Sequence, residues 1–130
     1  METKTLSAEQ TRICPDNIEE QNLKVFFSPS KRKKTRRINV LIQGEFTINT
    51  ILLLKERMYL LFVNFDHVDF VVNSITNIDL TAIQLLYVVK NIYSQLEKTI
   101  TLDFDLSKED RLIMHNSGFS DLLIKPRLTE

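Results

Sequence analysis

The stretch from Ile75 to Leu96 constrains the fold of this chain more than any other. Ala82, Leu85, Leu86, Val89, Ile92, Tyr93 and Leu96 recur within it at helical spacing, so a long helix must press one stripe against a core. Asp79 stands just before the run. Its carboxylate can accept from the backbone N–H groups two and three residues on, and its charge suits the positive end of the helix dipole. Thr81 then falls in the first turn, beside the loop and exposed. Ile83, Tyr87 and Val88 lie off the stripe and, with Leu80, form a candidate exposed apolar strip; the competing expectation is that a neighbouring helix covers them. Set after an apolar strand, this unit predicts an open α/β domain whose functional edge is the turn from Asp79 to Ala82.

The rest of the chain can be placed around that unit. Residues 1–21 show no periodicity and predict a flexible tail, in which Cys14 is a bystander thiol with no activating cluster nearby. Leu23, Val25 and Phe27 alternate with Asn22, Lys24 and Phe26 as a short strand ended by Ser28-Pro29-Ser30. Ile38, Val40 and Ile42 alternate again up to Gly44, as an antiparallel neighbour. Thr47 can cap a helix whose face is Ile51, Leu54, Met58, Leu61 and Phe62, widened by Leu52 and Leu53, and which ends near Val63-Asn64. Val68 to Val72 is apolar enough to predict a strand buried on both faces. Ile100, Leu102 and Phe104 mark one more strand. Ser107 followed by Asp110 opens a last helix, with Leu112 and Ile113 as its core contacts and Gly118 as its stop. Phe119, Leu122, Leu123 and Ile124 fold back on the body before a frayed end at 125–130. The predicted order is β-β-α-β-α-β-α, an α/β fold with a mixed sheet covered mainly on one side by helices.

Composition narrows function chiefly by exclusion. At 130 residues, 43% hydrophobic and 26% charged, the chain suits one globular domain over 22–124. Its 17 basic and 17 acidic side chains cancel, so bulk charge argues for neither nucleic acid nor a membrane surface. A single cysteine rules out an internal disulfide, and His67 and His115 have no metal-ligand spacing around them. With only Gly44 and Gly118, a glycine-rich phosphate loop is excluded. No cofactor, no metal, no small-molecule substrate and no enzymatic activity are expected. No apolar run is long enough to span a membrane, and the expected location is cytoplasmic. The sharpest local charge is the basic tip Lys31, Arg32, Lys33, Lys34, Arg36 and Arg37 between the first two strands. A solvated hairpin tip explains it, an acidic protein partner comes next, and the absence of interleaved aromatics argues against single-stranded nucleic acid.

The order of elements and the text of three segments resemble the STAS domain, the sulfate-transporter and anti-sigma-factor-antagonist family. Val40-Leu41-Ile42-Gln43-Gly44-Glu45-Phe46-Thr47 is similar to the family's strand and Gly-Glu-Leu-Thr/Asp turn. Ile75 to Leu86 is similar to its Val-x-x-Ile-Asp-Ser-Ser-Gly-Leu-x-x-Leu signature. Asn116-Ser117-Gly118-Phe119 to Leu123 resembles its closing helix. Here Leu80 replaces the first Ser of the signature, Ala82 replaces its Gly, and Val71 stands where an aspartate is frequent. That wording is nearer to solitary STAS proteins associated with chemotaxis or two-component systems.

The resemblance implies a non-enzymatic protein–protein interaction module of a bacterial signalling pathway, with an anti-sigma-factor or kinase-like, chemotaxis or transporter component as partner. Thr81 holds the position that a kinase phosphorylates in the switched members. The expected binding face is the loop from Ser74 to Asp79 and the start of the helix, with Ser74, Asn77, Asp79, Leu80, Thr81, Ile83, Gln84 and Tyr87 as contact residues. Two alternatives remain: the small soluble STAS subunit of a lipid-transport ABC complex, and a nucleic-acid or anionic-surface binder acting through Lys31 to Arg37.

Overall fold

The computed structural model describes residues 14–32 and 36–119. Strand β1 (Ile18–Glu20) leads through a tight turn into β2 (Leu23–Pro29), and β3 (Arg37–Phe46) follows. Then come helix α1 (Ile51–Asn64), β4 (His67–Ile78), α2 (Leu80–Gln95), β5 (Thr99–Phe104) and α3 (Lys108–Asn116). The sheet runs β1-β2-β3-β4-β5, so strand order in space is strand order in sequence. The first three strands pair antiparallel, whereas β3, β4 and β5 are parallel. Parallel neighbours need a crossover, and α1 and α2 supply the two required.

β1 is an addition to the predicted order. Only Ile18 of its three residues is buried, so no alternation was there to be read. Gln21 and Asn22 both take positive φ, 52° and 68°, the geometry of a two-residue hairpin turn whose twist matches its strands. From Cys14 to Gln21 the expected tail is instead part of the folded body: the Asn17 side chain accepts from Phe27 N at 2.8 Å, and Cys14 is half-buried against the core. Burial, and after it the nearby Asp16 charge, push the Cys14 thiol up. This disfavours the reactive thiolate.

Helices cover one face of the sheet, and the strands show it. Val68, Phe70 and Val72 are buried while Asp69, Val71 and Asn73 between them are half-buried. The expectation that β4 is buried on both faces is thus corrected: its second face carries a polar network, not a second layer of helices. The core joins these residues to Leu54, Met58 and Leu61 of α1 and to Ala82, Leu86, Val89 and Tyr93 of α2. Tyr93 satisfies its buried hydroxyl by donating to Leu61 O at 2.9 Å.

Three helical details differ from expectation. α1 begins at Ile51 and not at Thr47, whose carbonyl instead accepts from Thr50 N and Ile51 N in a turn that precedes the helix. Leu52 points to solvent, and only Leu53 widens the buried face. In α3, Leu112 and Ile113 are exposed, the former at 59%, and Met114 is the buried contact. The helix spans nine residues, of which Met114 is the one buried. Its ends are as predicted: Ser107 accepts from Asp110 N at 3.1 Å and Gly118 follows the C-cap at φ 85°. Residues 120–130, with Leu122, Leu123, Ile124 and the frayed end, lie outside the described residues.

Candidate functional site

The predicted functional edge is organised by Asp79. One oxygen, Oδ1, accepts from Ala82 N at 3.0 Å and caps α2. The other, Oδ2, accepts from Ile48 N at 2.9 Å in the turn before α1. A single carboxylate therefore ties together the starts of two helices. Sequence reasoning anticipated the first bond and missed the second, since nothing in the local pattern marks Ile48 as a partner. The turn itself is held internally: Thr47 Oγ1 donates to Glu45 Oε2 at 2.9 Å, and Thr50 Oγ1 donates to Glu45 O at 2.7 Å.

Beside this junction, β4 carries two residues more than its neighbour needs. Ile42 and Gly44 pair with Val72 and Ile75, then Glu45 pairs with Asn77, so one residue is extra at each step. Ser74 absorbs part of that excess in a left-handed backbone at φ 50°, a conformation rare for any residue but glycine and frequent at bulges. Gly44, at φ 91°, lets the β1–β2 turn approach: a Cβ there would stand 2.1 Å from Asn22 O. The irregularity opens a shallow pocket of about 400 Å³ lined by Asn22, Lys24, Gln43, Gly44, Glu45, Ser74 and Thr76.

The structure divides the predicted contact residues. Ser74, Asn77 and Gln84 are exposed, Thr81 is half-buried in the first turn of α2, and Leu80 is 39% exposed. Ile83 is 0% exposed and belongs to the core. Its assignment to a contact face is corrected: α2 packs against both α1 and α3, which widens its buried arc past the stripe the spacing indicated. Tyr87 and Val88 are about half exposed, and Tyr87 stands edge-on to Phe119 with ring centroids 5.4 Å apart. The apolar strip therefore exists as Leu80, Tyr87 and Val88, without its middle member. Ile48, 62% exposed, joins it at the Asp79 bridge.

The basic tip is partly spoken for. Arg36 Nε lies 2.9 Å from Asp66, and Arg37 grips both oxygens of Asp69, at 2.7 and 3.2 Å. Asp69 also receives His67 Nε2 at 2.9 Å and the Thr101 hydroxyl. Burial works to raise this carboxyl, but the hydrogen bonds from Arg37, Thr101 and His67 outweigh it and hold it below the usual carboxylate range. Lys31 and Arg32 are exposed, whereas Lys33 and Lys34 lie outside the described residues. Among the described residues, no three His, Cys, Asp or Glu side chains gather as a metal site, and no helix is long and apolar enough to cross a membrane.

No protein-family model matches the chain, and no curated protein does. Solved structures do. The anti-sigma factor antagonist SpoIIAA in its unphosphorylated form superposes with a TM-score of 0.62 at 9% identity, over 81% of this chain and 90% of that one. The chain has the STAS fold. The Bacillus cell fate determinant SpoIIAA in its phosphorylated form agrees, with a TM-score of 0.58 at 8% identity over 81% of this chain and 93% of the other. In this STAS fold the segment Ile75 to Leu86 ends β4 and opens α2, where the family-like wording had placed it. Gly44-Glu45, in another such segment, lies on β3 directly beside the bulge that Ser74 makes in β4.

Proposed function

We propose that this STAS-fold chain is a regulatory binding module that docks a protein partner on the face around the start of α2. The observation that carries the reading is the double hydrogen bond of Asp79. It fixes two exposed apolar side chains, Ile48 and Leu80, on a pinned scaffold on either side of the carboxylate, and rigid apolar anchors are what a contact site needs. Asn77, Thr81 and Gln84 supply its polar rim. That the structural neighbours include an anti-sigma factor antagonist supports a kinase-like or anti-sigma-factor-like partner of a bacterial signalling pathway.

Thr81 is the switch in this reading. Its side chain is half-exposed at a helix start whose first turn has no acidic residue. A kinase transferring a phosphoryl group to its hydroxyl would add about 1.5 to 2 negative charges there, enough to expel a partner from an apolar contact. The test is affinity capture from a native lysate with wild type and a Leu80→Asp variant, in the presence of nuclease, with partners and phosphosites read by mass spectrometry. A partner held by wild type and lost from the variant supports the docking face, and phosphate on Thr81 supports the switch. Capture that ignores Leu80→Asp but vanishes on Lys31→Ala and Arg32→Ala would move the function to the basic tip.

A further inference from the structure

The outward face of α1 is unlike that of an ordinary surface helix. Its exposed positions are Leu52, Lys55, Glu56, Tyr59 and Val63, so three of the five are large and apolar. Tyr59 is 71% exposed, and Ile48 in the preceding turn is 62% exposed. Intervals of three, one, three and four residues set Leu52, Lys55, Glu56, Tyr59 and Val63 in one stripe, and Ile48, four residues before Leu52, lies in the turn that leads into it. Lys55 takes part in no ion pair among the described residues, and Glu56 has only the adjacent Arg57, at 3.5 Å.

The stripe reads the same in both directions about a centre between Lys55 and Glu56: apolar, apolar, charge, charge, apolar, apolar. A two-fold axis through that centre would lay a second α1 antiparallel on the first. Ile48 then meets Val63 of the other copy, Leu52 meets Tyr59, and each Lys55 meets a Glu56. A two-fold contact must be self-complementary, and this order of residues satisfies the condition in both hydrophobicity and charge. We infer that the α1 stripe is a contact face for a second copy of this chain, in an antiparallel arrangement centred on Lys55 and Glu56. A shallow crossing of about 20° is the packing that keeps helices in contact over such a length. The stripe shares Ile48 with the proposed partner face but not Leu80 or Thr81, so Leu80→Asp tests that face and Lys55→Glu tests this one.

Sedimentation velocity of the full chain tests it, over about 1 to 500 μM, the span in which a small interface of this kind associates. A concentration-dependent dimer is expected. Lys55→Glu sets like charges opposite each other twice and should weaken it about three- to tenfold. Lys55→Glu with Glu56→Lys should restore it to within about twofold. Tyr59→Glu should weaken it by more than about tenfold. In a Cys14→Ser background, Leu52→Cys mixed with Tyr59→Cys should form a mixed disulfide on mild oxidation. The α1 positions are all exposed and Cys14 is half-buried, and unchanged far-ultraviolet circular dichroism checks that the fold persists in every variant. A monomer throughout the range, a dimer insensitive to Lys55→Glu, or a double reversal that fails to restore association would each overturn the inference.

Discussion

Asp79 concentrates more structure in one side chain than its neighbours, because both carboxylate oxygens serve backbone N–H groups that would otherwise lack partners. Asp79→Ala should lower stability by about 1–3 kcal/mol, the sum expected for a cap and a charged hydrogen bond. Asp79→Asn, whose amide retains one acceptor, should fall between; urea unfolding distinguishes the three. Leu80 and Ile83 give a sharper contrast. Leu80→Asp places a charge at a half-open surface and should shift stability by no more than about 0.5 kcal/mol. Ile83→Asp puts the same charge at a position with 0% exposure and should cost more than about 4 kcal/mol or prevent folding. Gly44 leaves no choice of residue: at φ 91° with Asn22 O in the path of a Cβ, Gly44→Ala should cost about 2 kcal/mol or more in the same measurement.

Among the elements, α2 and α3 are held in different ways. α2 buries five residues and is locked to the α1 turn through Asp79, whereas α3 contributes Met114 alone to the core and depends on its Ser107 cap. Ser107→Ala should cost about 1 kcal/mol. Amide hydrogen exchange should show α3 opening well before α2, in wild type and more so in the variant. The same difference explains which elements were legible. The periodicity of α2, the caps at Asp79 and Ser107 and the alternation of β2, β3 and β5 are short-range patterns, readable where they stand. β1 has one buried residue and no pattern, and the bulge in β4 arises only because β3 beside it is two residues shorter over the paired span. Neither is a property of its own segment.

At the scale of the whole molecule, the open face of the sheet carries the main pH-dependent contact. Arg37, His67, Thr101 and Asp69 come from three strands. The Asp69 carboxyl ionises at lower pH in the folded chain than in the unfolded one, where it titrates near about 3.9. The unfolded state therefore binds more protons in between, and this contribution, complete above that value, is lost as pH falls through the folded one. Stability measured by denaturant at several pH values should decline on acidification below about pH 4, and Asp69→Asn should flatten that part of the curve. The basic run shows the reach of tertiary structure plainly: Arg36 and Arg37 look in the sequence like part of a free cationic tip, but carboxylates about thirty residues away neutralise them. The amino-acid sequence by itself determined the α/β alternation, the amphipathic helix and its capped start, because hydrophobic period and capping chemistry act over a few residues. Only the tertiary structure decided that Ile83 faces inward, that Ile48 joins Leu80 at the Asp79 bridge and that no described segment covers the α1 stripe, because each depends on which distant segment packs alongside.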